Sequence, residues 1–414
     1  MSQPTEPTAT GGDTAIAVTP PPAHAALPEA LLGQHAEMAA WRRDLHANPE
    51  LGFEETRTAQ LVAQRLESFG YEIHRGIGKT GVVGVLRNGT STRSIGLRAD
   101  MDALPIAEAN LFGHRSIREG RMHACGHDGH TAMLLGAAKY LARTRRFDGI
   151  VNLIFQPAEE GLGGAVAMIE DGLFERFPCD TVFAMHNRPK LAVGRFAVRT
   201  GPAMAGGAFF DIHITGVGAH GARPETGVDA LMVGAHIATA LQMIVSRNVP
   251  PVETAVLSIT QFHAGDAYNV IPQTAVLRGT VRAFRTDLMQ RIETLMRRTI
   301  ENVAQGLGAA ASLDFRINFA PVVNDGEQAD FAAAICTELV GADNVQRNPP
   351  LIMGSEDFSF MLNEVPGCYL NIGNGDVEGA CEVHNPMYDF NDQALPLGAA
   401  FFVRTVEKKL APVA

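Results

Sequence analysis

Apolar, β-forming runs alternate with helical stretches along most of this chain, and that alternation limits its fold more than any other feature. Residues 71–77, 81–86, 94–98, 150–155 and 181–185 read as strands, and the last two have the continuous apolar character of strands buried on both faces. Residues 28–47 place Leu31, Met38, Trp41 and Leu45 at helical spacing and stop at Asn48-Pro49. After Glu55, Ala59, Val62, Leu66 and Phe69 repeat that spacing ahead of Gly70, which suits a C-terminal cap, and residues 129–143 form a further helix. Strands alternating with helices predict an α/β fold: a mixed, mainly parallel sheet flanked by helices. Such sheets receive ligands at the carboxyl ends of their strands.

The pattern changes at residues 201–207, where two turns containing Pro and Gly suggest a hinge. Phe210, Ile212 and Ile214 then alternate with polar residues, as in a half-exposed strand. The order β-α-β-β-α-β over residues 201–319 predicts an inserted α+β unit. After Pro321 the first unit resumes, with helices near 330–339 and 396–408, so residues 28–200 and 320–414 form one domain. A chain of 414 residues, 46% hydrophobic and 19% charged, suits two globular domains. A net charge of -11 without a basic run argues against nucleic acid as a partner. No apolar stretch approaches the roughly 20 residues that a membrane span needs. Residues 1–27 are rich in Pro, Thr, Ala and Gly and lack Lys and Arg, so they read as a disordered leader rather than a secretory signal. Cys125, Cys179, Cys336, Cys368 and Cys381 are too few for a disulfide framework, and a cytoplasmic location is expected.

Chemistry concentrates in Met122-His123-Ala124-Cys125-Gly126-His127-Asp128-Gly129-His130, just before a helix. Imidazole and thiolate are preferred donors for zinc and its neighbours, and an extended Cys-x-His would aim Cys125 and His127 at one centre. The rival reading makes Cys125 a nucleophile with His127 or His130 as its base, a thiol hydrolase. Glu159-Glu160 ends one predicted strand and His186 another. Adjacent carboxylates in extended backbone point to opposite sides, so one can bind metal while the other faces elsewhere. His384, in Glu382-Val383-His384-Asn385-Pro386, is a weaker signal.

These segments, with Trp41-Arg42-Arg43-Asp44-Leu45-His46, Arg98-Ala99-Asp100-Met101-Asp102, Gly218-Ala219-His220-Gly221 and Gly354-Ser355-Glu356-Asp357-Phe358, resemble the amidohydrolases that include hippurate hydrolase, bacterial N-acyl-amino-acid deacylases and the plant auxin-conjugate hydrolases. The resemblance implies a catalytic domain with two divalent metal ions (Zn, Mn, Co or Ni) and an inserted lid that also forms a homodimer. It implies Cys125 as the bridging ligand, with His127, Glu160, His186 and His384 completing the two sites. Glu159 would be the general base, and His220 in the lid would polarise the scissile carbonyl. Asn269 and Arg282 would hold the substrate carboxylate. Related aminoacylases and carboxypeptidases usually carry His where Asp100 stands, so Asp100 is left out of the ligand set. Asp102 is read as orienting a ligand histidine. The expected reaction is hydrolysis of a small N-acyl amino acid. The alternatives are a dipeptidase or carboxypeptidase with the same metals, or a metal-dependent binding protein that has lost turnover.

Overall fold

The computed structural model describes residues 27–375 and 381–412, so the leader expected over 1–27 lies outside the described residues except for Leu27. The first helix is broken, Glu29–Leu32 and then His35–Ala47, where the sequence predicted one piece. The break falls at Gly33, a residue of low helical propensity. The helix Thr56–Phe69 closes on Gly70 at φ 88, the left-handed cap that its sequence position predicted. The strands β1 (Glu72–Ile77), β2 (Gly81–Asn88), β3 (Ser94–Asp100), β4 (Gly149–Gln156) and β5 (Thr181–Pro189) all form, followed by a short β6 (Phe196–Val198).

Residues 201–207 are not the pair of turns that the sequence suggested. β7 (Gly201–Met204) runs almost directly into β8 (Gly206–Thr215). The chain continues through β9 (Ala219–His220), β10 (Ala255–Ala264), β11 (Val270–Ile271), β12 (Thr274–Ala283) and β13 (Ala310–Phe319). It then returns through β14 (Val322–Asn324), which pairs antiparallel with β7. The two crossings therefore satisfy each other's backbone groups as a ribbon. Between them lies an antiparallel sheet in the order β10-β12-β8-β13. On β8, Phe210, Ile212 and Ile214 are buried while Phe209 and His213 are exposed, the expected alternation. Those buried residues share a core with Ile237 and Leu241 of one helix and Ile292 and Met296 of another. The first of these helices, Ala230–Met243, runs on into a π-helical turn. By length and composition alone the 19 residues Ala230–Asn248 would suffice to cross a membrane, a longer apolar run than the sequence suggested. One face packs on the sheet, while Leu231, Met232 and Met243 are exposed.

The returning chain adds β15 (Val345–Arg347) and β16 (Gly367–Gly375) to the first sheet, whose order is β1-β2-β4-β3-β5-β16-β6-β15. β3 runs parallel to β4 and β5, β16 to β5, and β15 to β6, whereas β1, β2 and the β6–β16 contact bring antiparallel pairing. The sheet is mixed and mainly parallel, as predicted. β16 was not foreseen, although it sits near the middle. Its segment Gly-Cys-Tyr-Leu-Asn-Ile-Gly-Asn-Gly is poor in strand formers, and Gly373 is there because a Cβ would lie 1.9 Å from the Ala192 carbonyl oxygen. Residues alternate between two cores along β5: Phe183 and Met185 pack among the helices His127–Thr144 and Leu395–Lys409, and Val182 and Ala184 pack on the opposite face with Phe358 and Met361.

The helix His127–Thr144 is almost wholly buried, and Gly129 in its first turn abuts Phe390. An added Cβ would fall 2.3 Å from the Phe390 ring. Gly129→Ala should therefore lower stability by roughly 1–3 kcal/mol despite the better helix propensity of Ala, read as a lower thermal unfolding midpoint.

Candidate metal centre

Because β3, β4 and β5 are parallel neighbours, their carboxyl ends lie together, and each delivers polar residues to one edge. Past β3 come Asp102 and then the Cys125–His127 loop, past β4 come Glu159 and Glu160, and β5 itself carries His186. The Cys-Gly-His segment is not extended as expected. Gly126 caps the helix at φ 95, and its missing Cβ leaves room for Asn187 and Tyr388, so a left-handed turn presents both ligand side chains. His384 arrives from the C-terminal loop. Its N–H donates to the Ala124 carbonyl at 2.7 Å, and it holds a left-handed φ of 66, a conformation that costs a non-glycine residue of order 1–3 kcal/mol.

Two groups of donors result. Cys125, His127 and His186 place their ligand atoms within 4.8 Å of one another, and so do Cys125, Glu160 and His384. Cys125 belongs to both, its Sγ 3.3 Å from His186 Nε2, while His384 Nε2 lies 3.2 Å from Glu160 Oε1. The imidazoles are set for coordination. His186 Nδ1 donates to the Asn187 carbonyl at 2.6 Å, and His127 Nδ1 faces Asp102 O at 2.9 Å and Oδ1 at 3.1 Å, which leaves each Nε2 for a ligand. His127 Nε2 is buried without a hydrogen-bond partner, and Glu160 Oε1 is buried with only the ion-pair contact to His384. Buried orphan acceptors among thiol, imidazole and carboxylate fit divalent cations.

The electrostatics point the same way. Burial lowers the proton affinity of His127, but Asp100 and Asp102 outweigh it and raise its pKa to about 10, so the pocket demands positive charge at this point. Burial pushes His186 well below the usual histidine range, which keeps its lone pair free. Burial, reinforced by the Glu160 and Glu159 carboxylates, pushes the Cys125 thiol well up. A cysteine nucleophile needs a lowered pKa, so the thiol-hydrolase reading loses its support. Asp100 stays outside the donor groups that share Cys125. Its two oxygens meet His130 Nδ1 at 2.6 Å and Arg98 Nη1 at 2.7 Å, and His130 Nε2 in turn accepts the Asn187 N–H at 2.9 Å.

Glu159 and Glu160 do not diverge as extended neighbours would. They lie in a turn after Ala158 at φ 52, and the carboxylates of both approach His127. Glu159 also approaches Glu356 and Asp357, and its Oε1 accepts the Asp357 N–H at 3.4 Å. Burial, then the Glu356 carboxylate, pushes its pKa well above the glutamate range. Arg98, Gln156, Glu356 and Asp357 form the floor beneath it, and the sequence reading assigned none of them a role. Arg98 Nη2 reaches Glu356 at 2.9 Å and Asp357 at 3.2 Å, and Nε reaches Gln156 at 2.8 Å. The signal available was the charged pair Glu356-Asp357 before an apolar helix, together with an arginine inside an otherwise apolar strand.

Cys125, Glu160, His186 and His384 line a cleft of about 480 Å³ with Met204, Ile352 and Tyr369 among its walls. His220, Asn269 and Arg282 are not among the residues lining it. His220 is exposed on β9, beside Asn269, whose carbonyl accepts the Gly221 N–H at 2.7 Å. Arg282 is half-buried on β12 over the Phe209 ring, and an added Cβ on Gly207 would lie 3.1 Å from its Nη1 and 2.9 Å from Ser355 Oγ.

The sequence model of peptidase family M20/M25/M40 matches residues 96–408. The chain is 45% identical over 388 residues to a hippurate hydrolase of Campylobacter jejuni, covering 93% of this chain and 99% of that one. It is 37% identical over 384 residues to thermostable carboxypeptidase 2 of Saccharolobus solfataricus, covering 90% and 96%. Among solved structures, a Bacillus subtilis protein described as a dinuclear metal-binding peptidase of the M20 family superposes with a TM-score of 0.80 at 33% identity, covering 92% of this chain and 100% of that one.

A buried, carboxylate-flanked thiol keeps its proton at neutral pH and must lose it to bind a cation. Loading metal-free protein with zinc at pH 7 in weak buffer should release about one proton fewer per chain from Cys125→Ala than from the unaltered protein. Equal release would remove Cys125 from the ligand set.

Proposed function

The chain belongs to peptidase family M20/M25/M40, and from its site we infer that it uses two divalent cations to hydrolyse the amide bond of N-acyl amino acids. The observation that carries this reading is the pair of donor groups sharing Cys125, with buried Glu159 beside them. Relatives named for hippurate hydrolysis and for carboxypeptidase activity bracket the substrate as a small linear amide with a free carboxylate. The metal-dependent carboxypeptidase remains the second reading.

Cys125, His127 and His186 would hold one cation and Cys125, Glu160 and His384 the other. When bound, a cation pair lowers the pKa of a shared water and draws electron density from the amide carbonyl. Their identity, zinc, manganese, cobalt or nickel, is open to all of these donors. The remaining work falls to the chain. Glu159, with its raised proton affinity, takes the proton of the attacking water and passes it to the departing amine nitrogen. Asp102 fixes the His127 ring through Nδ1 and also accepts the Glu160 N–H through Oδ2 at 3.0 Å, so one carboxylate steadies a ligand from each group.

We assign His220 to the developing oxyanion and Asn269 and Arg282 to the substrate carboxylate, for which a guanidinium fork is suited. His220 and Asn269 are exposed, which supports a role for them in the cleft of a second copy. The outward face of the lid favours such a homodimer, with Met232, Met243 and Phe262 exposed beside the edge strand β10. A reduced Cys125 suits the proposed cytoplasmic location.

Hydrolysis of N-benzoyl-glycine and N-acetyl amino acids by the metal-loaded protein, abolished by a chelator, tests the reaction. Glu159→Gln should retain its metal and lose about 10²–10⁴-fold in kcat, whereas Glu160→Gln should lose metal. The reversed pattern would overturn both roles. Mixing Glu159→Gln with His220→Ala under subunit exchange should restore roughly a quarter of full activity if each site uses both chains. No recovery, with exchange verified by native mass spectrometry, would place His220 within its own subunit or outside catalysis.

A further inference from the structure

Arg188 is a cation in this cleft that the reading above does not use. At the end of β5 the burial alternates, with His186 half-buried, Asn187 buried and Arg188 half-buried. Side chains two apart on a strand share a face, so Arg188 stands on the same side as the ligand His186. Both line the cleft. Asn187, also in the cleft lining, is buried and engaged, its amide oxygen accepting from the Tyr388 hydroxyl at 2.6 Å.

The two buried arginines among the described residues are neutralised. Arg42 is ion-paired to Asp389 and Asp392, and Arg98 to Asp100, Glu356 and Asp357. Arg188 has no ion-pair partner among the described residues, and its Nη1 is buried without a hydrogen bond. The neighbouring cation, Lys190, pairs with Glu382 at 2.5 Å, so the nearby wall acid is already engaged. A guanidinium nitrogen buried and left unpaired beside reacting groups is unfavourable unless a ligand completes it, and a carboxylate matches the geometry of the fork.

We infer that Arg188 anchors a second acid group of the substrate, so that the preferred substrates are N-acyl amino acids carrying a carboxylate beyond the α-carboxylate. This rests on the reaction proposed above and on the assignment of the α-carboxylate to Asn269 and Arg282. The second acid can come from the acyl chain or from the amino-acid side chain, and the chemistry at Arg188 is the same in either case.

The test compares kcat/KM within matched pairs of acidic and amide substrates. N-succinyl-alanine against N-succinamoyl-alanine probes the acyl source, and N-acetyl-glutamate against N-acetyl-glutamine the side-chain source. The unaltered metal-loaded protein should favour the acid member of one pair by on the order of tenfold to a hundredfold, and Arg188→Gln should bring that ratio near one. Arg188→Lys, which keeps the charge without the fork, should fall between. A ratio near one in the unaltered protein, or an unchanged ratio in Arg188→Gln, would overturn the inference. So would an equal loss on both members of the pair, which would give Arg188 the α-carboxylate. Competitive inhibition of the unaltered protein by glutarate, stronger than by glutaramate, tests the same anchor without any variant, and equal inhibition counts against it. Failure to hydrolyse any member of either pair would instead overturn the reaction itself, and calorimetric binding of glutarate, weakened by Arg188→Gln, would still decide on Arg188.

Discussion

A guanidinium removed from water has to be surrounded by acceptors, and Arg98 is 2% exposed at the centre of the strand ends. Burial disfavours its charge, but Glu356, Asp100 and Asp357 more than offset this and keep it protonated. Its partners come from several parts of the chain: Asp100 from the same strand, Gln156 from the next, and Glu356 and Asp357 from beyond the inserted α+β unit. Two of these partners also hold residues at the site. Asp100 receives His130, whose other nitrogen takes the Asn187 N–H, and the Asp357 N–H supports Glu159. Asp357 further accepts the Ala165 N–H at 3.0 Å, which secures the chain just beyond the double glutamate. Removing one member of such a buried set costs about 3–5 kcal/mol, because the others are left uncompensated. The metal centre is therefore built on a cation that never touches the reaction.

That arrangement also explains why the pocket can be so acidic. Asp100, Asp102, Glu159, Glu160, Glu356 and Asp357 crowd one strand edge, and Arg98 answers only some of them. Asp100 and Asp102 outweigh burial in raising the proton affinity of His127, and burial together with the neighbouring carboxylates raises that of Glu159, an excess of negative charge that a pair of divalent cations would neutralise. Metal affinity is in this sense prepared by the unbalanced charge of the fold before any donor is counted.

What was legible in the sequence follows from how local each signal is. The strands β1 to β5 and the long helices announced themselves through periodicity, and the Cys/His loop through density of donors within a few residues. Glu159-Glu160 and His186 were found because strand ends are easy to predict, even though the turn after Ala158 aims the glutamates differently from an extended segment. β16 escaped because its glycines answer to a close backbone approach by Ala192, a tertiary demand with no local trace. Arg98 with Glu356 and Asp357 left local signs, a lone arginine in an apolar strand and a charged pair before a helix, but their pairing was hidden because the partners are separated by most of the chain. His220, Asn269 and Arg282 were picked out by resemblance alone, and in the single chain they stand apart from the donors.

The position of β16 has a consequence for how the molecule comes into being. β5 can acquire its neighbour only after residues 206–319 have been synthesised and the chain has returned. At 5–20 residues per second that interval lasts roughly ten seconds or more, during which a nascent sheet ordered β1-β2-β4-β3-β5 ends on an unpaired edge. The emerging inserted unit, with a core of its own, has time to fold first, while the open edge of β5 is a surface on which other chains can pair. Translation speed between the two strands then sets how long each unfinished chain carries that open edge.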